Sequence, residues 1–127
     1  MKVFIVFLLI LNGWFTYMNI QNDRYNDLIL GKWHGVKKET KKGNDRLSNG
    51  KLNKEISIYE FKKNNIVIDY SITPNLLVYK YYIKNNILYI DNLSFKIEKL
   101  TEKELIIIDF KEKDPDNPLV FRHYFVK

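Results

Sequence analysis

The sequence contains no cysteine, and this absence removes several classes of chemistry. Disulfide bonds, thiol nucleophiles and metal sites with cysteine ligands are all excluded. A lipoprotein anchored through an acylated cysteine is excluded as well. At 127 residues the chain is long enough for one hydrophobic core, so we expect a single domain after any leader.

Arginine is scarce, although the chain is basic. The formal net charge is +6, but only Arg24, Arg46 and Arg122 among the 21 basic residues are arginines. Proteins that read nucleic acids favour clustered arginines, because the guanidinium binds phosphates and bases with two hydrogen bonds. Here lysines are spread along the chain, a pattern typical of solvated outer faces of strands. No nucleic-acid partner is expected.

The chain begins with a short apolar run. Lys2 is followed by uninterrupted apolar residues 3–11, which is the pattern of a secretory signal peptide. The run falls short of the roughly 20 residues that a membrane-spanning helix needs, although an uncleaved anchor is the competing interpretation. We therefore expect residues 1–21 to be a signal peptide, the mature chain to begin between Gly13 and Asn22, and the protein to be periplasmic or secreted.

Residues 22–127 predict an all-β domain preceded by a short helix. "NDRYNDLILG" (22–31) is typical of a helical turn that Asn22 or Asp23 caps and Gly31 ends. From Lys32 onward no helical periodicity is sustained, and runs rich in Ile, Val, Tyr and Phe alternate with short polar turns. The predicted strands are residues 32–40, 55–61, 66–71, 76–84, 87–90, 93–100, 104–111 and 119–126.

The connections between these strands indicate a meander. Asn64–Asn65, Asn85–Asn86 and Asp91–Asn92 are pairs that tolerate the left-handed backbone of a tight hairpin. Only residues 41–54 form a long polar connection. No connection has room for a crossover helix, so the sheet must be antiparallel. Eight such strands leave two open edges unless they close, which predicts an eight-stranded antiparallel up-and-down barrel.

Closure also predicts a contact. With an even number of strands, the start of the first strand and the end of the last lie at the same end of the barrel. Trp33 and Arg122 are the large residues near those two places. We therefore expect the guanidinium to stack on the indole across the closing seam.

These features together resemble the lipocalin superfamily, and more closely the lipocalin-like domains of exported bacterial proteins. The resemblance rests on "GKW" (Gly31, Trp33) after a helical turn, on eight meandering strands, and on Arg122 in the last strand. It implies that Trp33 plugs the closed end of the barrel and that Arg122 packs over it. It also implies a function: binding a small hydrophobic ligand, such as a lipid or fatty acid.

Two glycines flank the Trp in this motif. Gly31 is expected to free the helical turn from the first strand, and Gly35 to permit a bulge that bends the strand. The last strand poses a conflict, because an inward Arg122 would turn Phe121 and Phe125 outward. Either the outer face is covered or a bulge shifts the register, and the sequence leaves both alternatives open.

The sequence contains few residue patterns that indicate catalysis. His34 and His123 are the only histidines, and the seam places them near each other, but no third metal ligand lies close in the sequence. The loop "EKDPDNP" lacks the glycine and closing glutamate of a calcium loop. The strand serines have no companion histidine at a suggestive spacing. We expect no enzyme activity, no metal and no cofactor.

The aromatic residues provide the candidate ligand site. On the strand 76–84, alternation places Leu77, Tyr79, Tyr81 and Ile83 on the inner face. Barrels of this size are either filled by side chains or hold one small ligand. If space remains, the expected ligand-binding residues are Ile68, Tyr70, Tyr79, Tyr81 and Phe95. A filled barrel would instead favour an interaction or inhibitor module that acts through its surface, with the basic 41–54 loop as the contact.

Overall fold

The predicted barrel is confirmed. A computed structural model shows eight antiparallel strands in one closed up-and-down barrel, with each strand hydrogen-bonded to its neighbours and the first to the last. The structure describes residues 20–40, 43–47, 49–72, 74–110 and 120–127. The strands are β1 (Gly31–Thr40), β2 (Ile58–Lys62), β3 (Ile66–Asp69), β4 (Leu77–Lys84), β5 (Ile87–Ile90), β6 (Leu93–Leu100), β7 (Glu104–Asp109) and β8 (Phe121–Val126).

A short helix, α1 (residues 20–28), lies at the end of the barrel where β1 begins. Gly31 follows it with φ of +117°, a backbone conformation that favours glycine, as expected for the break between helix and strand. Ile29 and Trp33 are fully buried, and the Trp33 indole Nε1 donates a hydrogen bond to the Ile29 carbonyl at 2.7 Å. We call this the lower end of the barrel and the opposite end the upper end.

The hairpin turns use the residues that the sequence indicated. Asn65, Asn85, Asn86 and Asp91 have φ between 51° and 64°. Asparagine and aspartate tolerate this left-handed region better than other residues with side chains. The turns therefore fix the register of β2–β3, β4–β5 and β5–β6 without glycine.

Side chains alternate between a buried inner face and an exposed outer face. On β4, Tyr81 and Ile83 are buried, whereas Lys80 and Lys84 are exposed, as the alternation predicted. The strand residues of the inner core are Trp33, Phe61, Val67, Tyr81, Ile83, Leu88, Ile90, Phe95, Ile97, Leu100, Leu105, Ile107 and Phe125. Several come from the lower parts of their strands, so the apolar core lies against α1.

The closing seam corrects one prediction. β1 pairs with β8 so that Gly35 lies opposite Phe125 and Glu39 opposite Arg122, with a register shift between Gly35 and Lys37. Phe125 is buried on the inner face, and alternation therefore places Arg122 on the outer face. Trp33 faces inward and lies well below Glu39 on β1. The predicted stacking of Arg122 on Trp33 is wrong.

A different cation lies against the indole. The Lys127 ammonium nitrogen is 5.0 Å from the centre of the Trp33 ring and 3.3 Å from the Leu28 carbonyl oxygen. The end of the chain, rather than the middle of β8, therefore meets the indole. The open question about the last strand is also answered, because Phe121, His123 and Phe125 face inward and Arg122 and Tyr124 face outward.

Candidate functional site at the upper end of the barrel

Solvent access to the inner face rises from the lower to the upper end. Along the inner face of β4, Ile83 and Tyr81 are 8% and 3% exposed, Tyr79 is half-buried, and Leu77 is 37% exposed. Leu93, an inner-face position at the upper end of β6, is 57% exposed. The lower half of the barrel is thus filled, and the inner face becomes accessible towards the upper end.

The residues predicted to bind a ligand divide between the two faces. Tyr79, Tyr81 and Phe95 lie on the inner face. Ile68 and Tyr70 do not, because Ile68 neighbours the inward Val67 and pairs with Glu60 and Val78 on the outer face.

Tyr70 follows on the same outer side of β3. Its hydroxyl donates to Glu60 Oε1 at 2.7 Å, and the Lys32 ammonium lies 4.4 Å from its ring centre. The sequence prediction of one pocket lined by all five residues is therefore wrong for Ile68 and Tyr70. The register of β3 was set by Phe61 opposite Val67, a pairing that the alternation within β3 alone does not reveal.

Tyr81 belongs to the filled half of the barrel. Its ring packs edge-on against Phe61, with centres 4.9 Å apart and planes at 90°, and its hydroxyl donates to the Lys62 carbonyl at 3.1 Å. Tyr81 is thus part of the core. Tyr79 packs against the top of that core and is only half-buried, so it is the inner-face tyrosine of β4 nearest the accessible part.

Residues 53–57, which we call the strap, cover the part of β1 that β2 does not reach. β2 pairs with β1 only as far as His34. Beyond it, the Gly35 N–H donates to the Ser57 carbonyl at 2.9 Å and the Lys38 N–H to the Asn53 carbonyl at 2.8 Å. The sequence predicted strand from residue 55, but β2 begins at Ile58 and the strap runs up along β1.

Gly35 allows the strap to lie this close. A Cβ at Gly35 would stand 2.5 Å from Glu55 Cγ and 2.6 Å from the Glu55 carbonyl oxygen. Since the backbone of the strap occupies that space, a side chain cannot be accommodated without moving it. The expected bulge is present beside Gly35, and the missing side chain additionally makes room for Glu55.

The strap places a carboxylate inside the barrel next to a histidine. Glu55 is 7% exposed, and its Oε2 hydrogen-bonds His123 Nδ1. The other ring nitrogen, Nε2, lies 2.8 Å from Asp109 Oδ1 at the upper end of β7. Phe95 packs edge-on against the imidazole at 5.9 Å between centres. His123 is therefore enclosed by two carboxylates and a ring.

These contacts determine the charge of His123. Burial alone would lower its pKa, but the hydrogen bonds to Asp109 and Glu55 outweigh burial and raise the pKa to about 9. For Glu55, burial raises the pKa, while the hydrogen bonds from His123 and Ser57 more than offset this and lower it. At neutral pH the group is an imidazolium between two carboxylates. Its one positive charge offsets one of the two negative charges.

Further polar groups lie at the same level of the interior. Asp69 pairs with Tyr59 on the inner face, and burial raises the pKa of the Tyr59 hydroxyl. Lys38 points inward with its ammonium 5.4 Å from the centre of the Phe121 ring. The upper interior thus combines aromatic walls with a few charged and hydroxyl groups, a composition typical of pockets for small molecules.

The two histidines lie apart, contrary to the prediction. His34 is exposed on the outer face opposite Val126, whereas His123 faces inward opposite Lys38. Within the described ranges, no group of three or more His, Asp or Glu side chains is arranged to hold a metal ion. Both ring nitrogens of His123 are already hydrogen-bonded to its two carboxylate partners.

Sequence reasoning missed Glu55 and Asp109. Asp109 continues the inward alternation of Leu105 and Ile107, so the parity of β7 could have placed it inside. Glu55 likewise shares the parity of the inward-facing Tyr59 and Phe61, but the alternation of "EISIYEF" favoured a strand and gave no reason for the strap to bend over Gly35.

Comparison with known proteins adds no relative. No protein-family model matches the chain, and a search of curated proteins finds no match. In the part of the chain that the structure describes, no helix is both long and apolar enough to cross a membrane.

Proposed function

We propose that the chain is an exported, lipocalin-like barrel that binds a small hydrophobic molecule, such as a short lipid, in the upper half of its interior. The observation that carries this proposal is the gradient of solvent access along the inner face of β4, from 3% at Tyr81 to 37% at Leu77. A barrel that acts only as a filled scaffold has no need for accessible apolar residues on its inner face. Export rests on the sequence pattern of residues 1–21 alone.

The walls of the proposed site set the size and chemistry of the ligand. Leu77, Tyr79, Phe95 and Phe121 supply apolar surface on three sides of the barrel. Below them the core is closed by Tyr81 and Phe61, so a ligand occupies the upper half alone. A molecule of this kind gains affinity from the apolar area that it buries, and roughly micromolar binding is expected.

The test compares two tyrosines on one strand. A lipophilic fluorophore is titrated into the full chain, into Tyr79→Ala and into Tyr82→Ala. Tyr79 faces inward, whereas Tyr82 is 54% exposed on the outer face, so the two variants remove the same side chain from opposite sides of the sheet. We expect Tyr79→Ala to change the dissociation constant by about tenfold and Tyr82→Ala to leave it unchanged.

Displacement of the fluorophore by fatty acids, with one probe bound per chain, would further support a carrier. If no probe binds, or if Tyr82→Ala weakens binding as much as Tyr79→Ala does, ligand binding inside the barrel is wrong. The filled barrel acting through its surface would then be the better account.

A further inference from the structure

The outer face of β4, β5 and β6 carries an exposed aromatic pair. Tyr82 and Tyr89 lie opposite each other on neighbouring strands, and their rings stack with centres 4.5 Å apart and planes at 13°. Tyr82 is 54% exposed. A stacked pair that is left in solvent presents a flat apolar surface edged by two hydroxyl groups.

Three lysines surround this pair. Lys80 and Lys84 flank Tyr82 on β4, and Lys96 lies two strands away on β6; all three are exposed on the outer face. None of them forms an ion pair within the described residues. The nearest carboxylate along β6, that of Glu98, is bonded to Arg122.

The outer face around the closing seam, from the lower part of β6 through β7 and β8 to β1, is different. There Lys37 lies 3.8 Å from an Asp45 carboxylate oxygen, Lys99 pairs with Glu104, and Arg122 pairs with Glu98. These three basic residues are therefore neutralised by neighbours. The three lysines around the tyrosine pair have no such partner among the described residues, so this face keeps its positive charge.

Large apolar side chains extend the same surface towards the upper end. Val78 is 61% exposed on the outer face of β4, and Leu76, one residue before β4, is 54% exposed. Exposed apolar and aromatic side chains that alternate with lysines in this way are uncommon on a surface that meets only water.

We propose that this lysine–tyrosine face, formed by Val78, Lys80, Tyr82, Lys84, Tyr89 and Lys96, docks on an anionic lipid surface. Lysines near a bilayer are attracted by anionic headgroups, and tyrosine rings favour the interface because one edge is polar and the body is apolar. The charge of the face is complementary to such a surface, and its exposed apolar and aromatic side chains suit the boundary between headgroups and acyl chains.

Docking in this orientation brings the upper end of the barrel close to the lipid. Leu76 lies at the edge of the docking face, and Leu93 lies on the inner face at the upper end of β6. An apolar ligand dissolved in the bilayer would then be next to the site where it binds. The docking itself depends only on the outer face and holds whether or not the barrel takes a ligand.

The experiment measures binding of the full chain to lipid vesicles by co-sedimentation. Vesicles of phosphatidylcholine are compared with vesicles that contain about one third phosphatidylserine or phosphatidylglycerol. The test variant is the triple change Lys80→Gln, Lys84→Gln and Lys96→Gln. The control is Lys51→Gln, Lys54→Gln and Lys63→Gln, which removes the same charge from three exposed lysines on other parts of the surface.

We expect the test variant to bind anionic vesicles at least about tenfold more weakly than the unaltered chain, and the control to lose no more than about threefold. Binding of the unaltered chain should weaken as salt is raised from about 0.05 to 0.3 M. Tyr82→Ala should weaken binding even where the lysines are retained. Circular dichroism checks that each variant keeps its strands.

Three outcomes would overturn the proposal. Equal losses in the two triple variants would mean that net charge alone drives binding. Equal binding to neutral and anionic vesicles would mean that the lysines of the face do not select anionic lipid. Binding of a DNA duplex that depends on the same three lysines as strongly as vesicle binding does would make the face a general polyanion site, not a lipid site.

Discussion

At the scale of single residues, Arg122 has a role that its position in the sequence did not reveal. On the outer face its guanidinium donates to Glu39 Oε1 at 3.1 Å and to both oxygens of Glu98 at 2.6 and 3.1 Å. Glu39 is only 8% exposed and also accepts a hydrogen bond from the Tyr124 hydroxyl. Arg122 therefore neutralises a buried carboxylate and ties β8 to β1 and β6.

The pKa of Glu39 reflects the same contacts. The hydrogen bond from Tyr124 lowers it most, burial acts in the opposite direction, and the hydrogen bond and charge of Arg122 lower it further. Removing one partner of such a pair leaves a buried charge without compensation, which costs more than an exposed ion pair contributes.

Replacing Arg122 by Ala should therefore lower the free energy of unfolding by about 1–3 kcal/mol in urea denaturation. The control is Arg46→Ala, whose ion pair with Asp45 is exposed and should contribute less than about 0.5 kcal/mol. In a Trp14→Phe background, Trp33 fluorescence should respond to Lys127→Ala and not to Arg122→Ala. If Trp33 fluorescence instead responds to Arg122→Ala and not to Lys127→Ala, Arg122 contacts the indole as the sequence predicted.

The sequence predicted which large residues are buried at the lower end of the barrel. It did not predict on which face of the sheet each large residue lies. Gly31 and Trp33 were identified correctly because a glycine break before a lone Trp has a local cause. The face of Arg122 depends on where β8 ends against β1, with Val126 opposite His34, and on the bulge beside Gly35. Both are properties of a strand pair, and one residue of slip reverses every side chain.

At the scale of elements, the strap is the feature that the sequence did not predict. Glu55 and His123 are 68 residues apart, and the strap is held by hydrogen bonds to β1 and to Asp45 and by the inner contact of Glu55 with His123. Local alternation in residues 55–61 favoured a longer strand, and a tertiary contact overrode it. The strap connects the covered part of β1 to β7 and β8 through His123.

The charge on His123 makes this connection dependent on pH. Its pKa is about 9 in the folded protein and about 6.5 in an unfolded chain. Because the folded pKa is the higher one, the contribution to stability is complete below pH 6.5 and is lost as the pH rises through 9. The loss amounts to at most about 3 kcal/mol.

We therefore expect the thermal midpoint of the unaltered protein to fall between pH 7 and pH 9.5. His123→Gln should remove most of that fall, and Glu55→Gln should reduce it while leaving a similar side chain in the strap. His34→Gln is the control, since His34 is exposed on the outer face and should leave the slope unchanged. If Glu55→Gln and His34→Gln give the same profile as the unaltered protein, the strap is not held by charge.

At the scale of the whole molecule, the closed barrel was predictable because many local signals agreed. Eight apolar runs, short Asn and Asp turns and the absence of crossover lengths all favoured one architecture, and seven of the eight strands lie within two residues of their expected starts. How the interior is divided could not be predicted in this way. Filling of the lower half depends on rings such as Phe61 and Tyr81 meeting across β2, β3 and β4.

The barrel has a continuous ladder of hydrogen bonds but two unlike halves: the lower one is apolar and filled, and the upper one is more accessible and combines aromatic walls with a few charged groups. Closure joins β1 to β8 by pairs such as Gly35 with Phe125 and His34 with Val126. Because no strand can leave the ladder without breaking two pairings, both halves should unfold together. Trp33 reports on the lower end, and the His123 ring reports on the upper end.

Trp33 fluorescence, in a Trp14→Phe background, and the NMR signal of the His123 ring should therefore give one urea midpoint. Phe125→Leu, at a seam position only 2% exposed, should lower both midpoints equally, corresponding to about 1–2 kcal/mol. A lower midpoint for His123 alone would make the strap and upper end a separate unit of stability. In that case the upper end would open while the Trp33 end stays folded, since the ladder would no longer couple its polar half to its apolar half.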